Sequence, residues 1–303
     1  MLVILGCAKL ISAKKFIDTN ISEQMVGSVF NNRYEITELL GEGHLSKVYK
    51  ARHCKNKTMS AIKIMHPDSF ESTNIFTRFQ HELKMTRRFN HQNVVGVQEI
   101  GLEPKIFMIM EYVHGVSLAT VLQEPTRLPY KRSLSIFKQI CDGLNHIHKN
   151  GVVHRDIKPS NIMLLKNDDN TELVKIVDFG IAKVITHKEA LRTTFLKGGL
   201  SGSPYYMSSE QCQDNNVDAR SDIYALGCLM YKTLTGHQPI TGHDALECLQ
   251  NHISLFPKSF ACVCPEISIP KDLEDIILRC LAKERENRFQ SADELKRALE
   301  SVT

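Results

Sequence analysis

The chain has 303 residues, enough for two lobes around a shared cleft. Apolar residues make up 42% and charged residues 24%, the proportions of a soluble globular enzyme, and a net charge of +4 with scattered basic residues argues against nucleic acid as the main partner. Nine cysteines without a C-x-x-C pair argue against a disulfide framework or a metal site and read as reduced thiols in a reducing compartment.

The chain opens on the apolar run Met1-Leu2-Val3-Ile4-Leu5-Gly6-Cys7, with Lys14-Lys15 only afterwards. That order is wrong for a secretory signal, and the run is too short for a lipoprotein box. Residues 1–30 read as an extension, partly helical, either packed on the upper lobe or disordered. No stretch reaches the roughly 20 apolar residues needed to span a bilayer, so the expected location is the cytoplasm, with a secreted effector as the alternative.

From Tyr34 the pattern alternates as in strands. Gly41-Glu42-Gly43 lies between two of them, and such a turn lets the backbone approach phosphates with no side chain between. By itself it is also an ordinary hairpin. Ser60-Ala61-Ile62-Lys63-Ile64-Met65 is a short strand with one lysine among apolar residues, which could equally be an edge lysine facing water. Ile75, Phe76, Phe79, Leu83 and Met85 have helical spacing, with Thr77 and Gln80 as a capping pair and Glu82 on the same helix, predicted to run to Phe89. Strands are expected over 94–99 and 105–110.

Leu134, Phe137, Ile140, Leu144 and Ile147 mark one face of a helix ending at Asn150-Gly151. Directly after it comes His154-Arg155-Asp156-Ile157-Lys158-Pro159-Ser160-Asn161. Asp156 can accept a proton from a hydroxyl, Lys158 can neutralise a phosphate, and Asn161 offers an amide oxygen to a divalent cation. A strand pair over 162–165 and 173–177 is joined by the turn Asn167-Asp168-Asp169-Asn170. It leads to Asp178-Phe179-Gly180, a carboxylate that can hold Mg²⁺ together with substrate phosphates. A long irregular segment follows, with Thr193-Thr194 and Ser203, ending at Ser208-Ser209-Glu210; segments of that length are usually functional or disordered. A buried helix is expected from Asp218, and two more follow, on Leu273, Ile276, Ile277 and Leu281 and after Ser291.

In this order the motifs resemble the eukaryotic-like Ser/Thr protein kinases, most of all their bacterial members, from Tyr34 to Leu299. The resemblance implies an α+β fold: a small β-rich N-lobe (31–111) with one key helix and a larger helical C-lobe (112–303). It implies ATP and Mg²⁺, with Mn²⁺ as alternative metal, and transfer of the γ-phosphoryl group to Ser or Thr of protein substrates. Leu40, Gly41, Gly43, Val48, Ala61, Met110, Glu111, Val113 and Met163 match the nucleotide-binding positions. Lys63 matches the phosphate-binding lysine and Glu82 its ion-pair partner. Asp156 and Lys158 match the catalytic pair, and Asn161 and Asp178 the metal ligands. Asp222 matches the aspartate that holds the catalytic loop, and Glu210 and Arg288 a structural ion pair. Ser203 stands where the family has the hydroxyl beside the substrate.

Three departures stand out: Ser46 for the third glycine, which alters the loop tip; Ser209 for a proline, which lowers rigidity; and Phe289 for a proline near the end. Thr193 and Thr194 are the expected sites of autophosphorylation in trans between associated copies, with Arg155 and Lys183 receiving the phosphate. The alternatives are a pseudokinase scaffold without chemistry and a small-molecule phosphotransferase.

Overall fold

The computed structural model describes residues 25–43, 46–66, 83–103, 105–123, 127–167, 171–179, 204–213, 216–266 and 268–302. The chain divides into a smaller unit (Met1–Ser69 with Val97–Tyr112) and a larger one (Phe70–Gly96 with Val113–Thr303).

The smaller unit is an antiparallel sheet of β1 (Val29–Phe30), β2 (Tyr34–Glu42), β3 (Ser46–His53), β4 (Met59–Met65), β5 (Val97–Gly101) and β6 (Phe107–Glu111), in the order β1-β2-β3-β4-β6-β5. Alternation along each strand sends every second side chain to one face. Phe30, Tyr34, Ile36, Tyr49, Ala51, Ile62, Ile64, Phe107 and Ile109 fill that face as its core. The sheet therefore starts two residues before Asn31, with Phe30 packed edge-on against Phe107 at 4.9 Å.

The larger unit is built on two helices. In α2 (Tyr130–Lys149), which follows the short β7 (Val116–Ser117) and α1 (Leu118–Val121), the stripe Leu134, Phe137, Ile140, Leu144 and Ile147 is buried as its spacing predicts. Gly143 on this helix is required by packing, because a Cβ there would lie 2.8 Å from the Asn93 carbonyl oxygen and from Ile176. After α3 (Ser209–Cys212), helix α4 (Ala219–Thr235) is buried from Ser221 to Thr235, which makes it the centre of the unit. Around them lie α5 (Ala245–Ser254), α6 (Phe260–Val263), α7 (Lys271–Cys280) and α8 (Ala292–Glu300). A small sheet, β7 with β8 (Ile162–Lys166) and β9 (Glu172–Ile176), frames the loop that follows α2.

Two expectations change. The strand expected over 94–99 begins only at Val97. Val94 instead bridges to Ile176, whose N–H donates to the Asn93 carbonyl and whose carbonyl accepts the Val95 N–H, both at 2.9 Å. The cause is the buried Asn93 side chain, whose amide donates to the Val174 carbonyl (2.8 Å) and to Gln139 (3.1 Å) and so draws this segment into the larger unit. The helix expected to reach Phe89 is helical over 83–86 and gives way to a turn at 87–88. Its earlier part, with Thr77, Gln80 and Glu82, lies outside the described residues, as does the turn tip 168–170.

Candidate active site

In the smaller unit, Lys63 sits on β4, flanked by β3 and β6, with Val48 and Met108 as its cross-strand partners. Both neighbouring ladders are filled, so the edge-lysine reading does not apply. Ala61, two residues back, pairs with Lys50 and Met110. Because directly paired residues share a face, Val48, Ala61, Lys63 and Met110 stand together on the face opposite the apolar core. Met108 stands there too, a residue that sequence order alone did not single out. Gly41 joins this set by pairing with Val48, after a register shift between Leu39 and Gly41 that leaves Leu40 at the irregularity, 42% exposed.

The glycine turn is closed by the Gly43 N–H donating to the Ser46 carbonyl at 2.8 Å. Neither glycine adopts a positive φ. A Cβ at Gly41 would meet nothing within 4 Å, and at Gly43 only the Ser46 oxygen at 3.6 Å. The fold itself does not need glycine here; what the two residues leave is space. Ser46 is buried as the first residue of β3, paired with Met65, so its side chain is part of the strand rather than of the turn. His44 and Leu45 lie outside the described residues.

The larger unit carries the acid, amide and second carboxylate. Helix α2 stops at Asn150, and Gly151 takes φ +76°, a conformation that lets the chain reverse without a Cβ clash. The loop that follows is clamped from α4. The Asp222 carboxylate, 1% exposed, accepts the N–H of His154 and of Arg155, both at 2.8 Å, and contacts His148 Nε2 at 2.8 Å. Burial by itself would raise the Asp222 carboxyl pKa, but these donors outweigh it and hold it below its ordinary value.

Arg155 has φ +64°, strained for a residue with a side chain, and the strain sits directly before Asp156. The Asp156 N–H donates to His154 Nδ1 at 3.3 Å. On the carboxylate, Oδ2 meets Lys158 Nζ at 2.9 Å and accepts Asn161 Nδ2 at 3.0 Å, while Nδ2 also reaches the Asp156 carbonyl at 2.7 Å. Acid, lysine and amide are thus drawn together as one cluster. With its NH₂ turned to Asp156, Asn161 has its Oδ1 directed elsewhere, with the Ser160 hydroxyl at 3.5 Å and lone-pair capacity left for a cation. The Asn161 carbonyl accepts the Val177 N–H at 2.9 Å, tying the residue before Asp178 to this loop. Asp178 itself takes φ +58°. Phe179 is buried against Phe89 (5.1 Å) and His154 (5.4 Å), and burial lowers the His154 pKa, which keeps that ring neutral.

Among the described residues no three His, Cys, Asp or Glu side chains cluster as a metal cage. One carboxylate, Asp178, and one amide oxygen, Asn161, instead fit a hard cation that takes its remaining ligands from water and substrate phosphates, as Mg²⁺ does. Of the other nucleotide-binding candidates, Glu111 ends β6, Val113 follows in irregular backbone, and Met163 lies on β8 paired with Ser117 and Lys175.

Downstream, Glu210 and Arg288 form a bidentate pair at 2.8 and 2.9 Å, with Arg288 fully buried. Arg288 also donates to the carbonyls of Ala282, Lys283 and Arg220. Burial pushes the Glu210 carboxyl up, but the Arg288 guanidinium and the Ser221 hydroxyl bring it down to about 2. The expected loss of rigidity at Ser209 is offset: its hydroxyl donates to the Lys283 carbonyl at 3.0 Å, a bond a proline cannot make. Gln211 was missed, although Ser208-x-x-Gln211 is a capping-box pattern legible in the sequence. The box is formed, and the Gln211 amide also reaches the Arg155 carbonyl at 3.3 Å. Gly180, Lys183, Thr193, Thr194 and Ser203 lie outside the described residues.

The sequence profile of the family described as Protein kinase domain matches residues 34–299. The chain is 34% identical to serine/threonine-protein kinase PknB of Mycobacterium tuberculosis over 283 residues, which cover 91% of this chain and 44% of that protein. It is likewise 34% identical to a probable serine/threonine-protein kinase of Clostridium perfringens, covering 92% and 39%. The chain thus spans less than half the length of these curated relatives. Among solved structures, the PknI kinase domain of M. tuberculosis superposes with a TM-score of 0.70 at 24% identity, covering 90% of this chain and 97% of that one, a likeness of fold.

Proposed function

The chain belongs to the protein kinase domain family, and from that premise we propose that it transfers the γ-phosphoryl group of ATP to Ser and Thr hydroxyls of proteins. The observation that carries this reading is the Asp156–Lys158–Asn161 cluster on a loop whose backbone is held by the buried Asp222. In the family's chemistry the protein's work is positioning and charge neutralisation. Asp156 orients the acceptor hydroxyl and takes its proton. Lys158, two residues on, neutralises charge on the transferred group. Lys63 binds the nucleotide phosphates, and the space left at Gly41 and Gly43 admits them close to the backbone. Asp178 and Asn161 would hold the divalent ions, Mg²⁺ with Mn²⁺ as the alternative; when bound, these neutralise the phosphate oxygens.

The relatives' description as serine/threonine-protein kinases does not favour a scaffold without chemistry. The chain phosphorylates itself in trans at Thr193 and Thr194, which requires two copies to meet. It acts in the cytoplasm, a reading supported by nine cysteines without a C-x-x-C pair, of which the eight among the described residues are free thiols.

The test is γ-phosphate transfer with ATP and Mg²⁺, to the protein itself and to a generic basic protein, beside Asp156→Asn. Label on the unaltered protein and at least a 100-fold loss in the variant are expected. Equal label from both would remove Asp156 from the chemistry. Bound nucleotide with no label would overturn the kinase reading, and label elsewhere than Thr193 and Thr194 would overturn that assignment.

A further inference from the structure

The peptide unit between Arg155 and Asp156 carries the Asp156 Cα, so its orientation decides where the carboxylate stands. Its backbone neighbours are held in an unusual way. Arg155 takes φ +64°, a region that L residues occupy only when their surroundings enforce it. The Arg155 N–H is fixed by Asp222 Oδ1 at 2.8 Å. The Asp156 N–H is fixed by His154 Nδ1 at 3.3 Å. The Arg155 carbonyl, at the other end of the same peptide plane, accepts Gln211 Nε2 at 3.3 Å. Asp222 was expected from the motif; Gln211 comes from the short helix α3.

Gln211 is 3% exposed and its two amide atoms have separate partners. Oε1 accepts the Ser208 N–H at 3.1 Å and the Ser208 hydroxyl at 3.2 Å, as the acceptor of the capping box. Nε2 is the atom that reaches Arg155. One side chain therefore ties the start of α3 to the strained peptide before the candidate base. A buried amide with one end on each element cannot follow a shift of α3 without releasing one of its bonds.

We infer that Gln211 is a positioning residue: its Nε2 locks the Arg155–Asp156 peptide plane, and through it the placement of α3 sets the aim of Asp156. This rests on the kinase reading above. It makes the end of the segment that precedes α3 a direct determinant of the catalytic carboxylate, through a hydrogen bond separate from the Glu210–Arg288 pair.

The two functions of Gln211 can be separated. In Gln211→Glu, a carboxylate oxygen still accepts the Ser208 N–H, since Glu serves as well as Gln in a capping box. It can no longer donate to the Arg155 carbonyl at neutral pH. In Ser208→Ala, the hydroxyl cap is lost while Nε2 remains. Steady-state transfer to a protein substrate is measured for both, with thermal unfolding and with hydrogen exchange of the backbone amides at residues 154–157. For Gln211→Glu, kcat is expected to fall roughly 10-fold to 100-fold, with KM for ATP unchanged and exchange at Arg155 and Asp156 faster. For Ser208→Ala, a lower Tm with kcat and that exchange unchanged is expected. Unchanged kcat in Gln211→Glu overturns the assignment, as does an equal fall in Ser208→Ala, which would trace the effect to helix capping. Should the unaltered protein transfer no phosphate, the kinase reading fails by itself. The exchange at Arg155 and Asp156 still decides for or against the clamp.

Discussion

The glycine turn of the smaller unit and the loop around Asp156 in the larger one meet chemistry by opposite means. At the turn, among the described residues, the Gly43 N–H is held by the Ser46 carbonyl, and the two glycines leave open space where a Cβ would stand. At the loop nearly every polar group of the backbone from His154 to Asp156 is held, by Asp222, by His154 itself and by Gln211. Of the five described non-glycine residues with positive φ, Arg155 and Asp178 stand at or next to the loop, while Asn31, Asn32 and Lys57 lie elsewhere in the smaller unit and none is among the described residues of the turn. A group that has to accept a proton in one direction needs its backbone fixed. A segment that has to accommodate a flexible phosphate chain needs room. Substitutions at the loop and its supports should therefore be felt in the folded protein itself, and substitutions at the turn only when nucleotide is present.

The largest expected effect on stability comes from the support of the loop side, the buried Glu210–Arg288 pair. Arg288→Met leaves a buried carboxylate without its partner, which costs about 3 to 5 kcal/mol. The pH dependence gives a sharper sign. With Arg288 present the Glu210 carboxyl lies at about 2, below its ordinary value of 4.5. The pair's contribution is therefore complete above about pH 4.5 and lost as pH falls towards 2, on the order of 3 kcal/mol. Without Arg288, burial is left as the main influence and raises the carboxyl, so the folded form takes up the proton first. The difference in unfolding free energy between the two proteins should shrink steadily on acidification, read by urea denaturation between pH 6 and 3. A difference constant over that range would mean that Glu210 is not the group Arg288 serves.

An intermediate effect probes the turn. Gly43→Ala introduces a Cβ whose nearest neighbour is the Ser46 oxygen at 3.6 Å, an ordinary contact, at a position without positive φ. Unfolding by urea should be within about 0.5 kcal/mol of the unaltered protein. If the turn receives the nucleotide as proposed above, the KM for ATP should rise several-fold, because the methyl group would take space assigned to the phosphates. A marked loss of stability with unchanged KM would reverse the comparison and make the turn a structural element.

What the sequence disclosed follows the same division. The order of motifs singled out Asp156, Asn161, Asp178, Asp222 and the Glu210–Arg288 pair, because polar residues of one type at fixed places leave a trace in the chain, and the structure joins Asp156 to Asn161, Asp222 to the loop and Glu210 to Arg288. Strand alternation likewise marked Lys63 and Ala61 on one face and Ile62 and Ile64 on the other. The register that adds Met108 to the Lys63 face had no such trace, since cross-strand pairing depends on a partner some 45 residues away. The detachment of Val94 from its expected strand was hidden as well. An apolar run reads the same whether its partner is β6 or Ile176, and the buried Asn93 that decides between them looks like any loop asparagine. Gln211 was legible as a cap but not as a clamp on Arg155, for the same reason.

The smallest effect concerns Ser209, where chain pattern and packing disagree most instructively. The residue opens α3 at its first helical position, where a proline's fixed φ is already suited and its missing N–H costs nothing. Loss of the proline should therefore loosen the chain before Glu210 by increasing the freedom of the unfolded state, worth about 0.4 to 1 kcal/mol. The serine hydroxyl returns a similar amount by donating to the Lys283 carbonyl at 3.0 Å, net about 1 kcal/mol for such a bond. Ser209→Ala removes the hydroxyl and adds no stiffness, so it should lose about 1 kcal/mol. Ser209→Pro removes the hydroxyl and adds stiffness, so it should come out within a few tenths of the unaltered protein. The Lys283 carbonyl keeps its bond from Arg288 in both variants, at 2.8 Å, so the effect reads the hydroxyl alone, including its longer contacts with Glu210 Oε2 (3.2 Å) and Arg288 Nη2 (3.4 Å). Urea unfolding of the three proteins side by side decides the matter: if alanine and proline cost the same, backbone stiffness has no part at this position, and if alanine costs nothing, the hydroxyl bond has none.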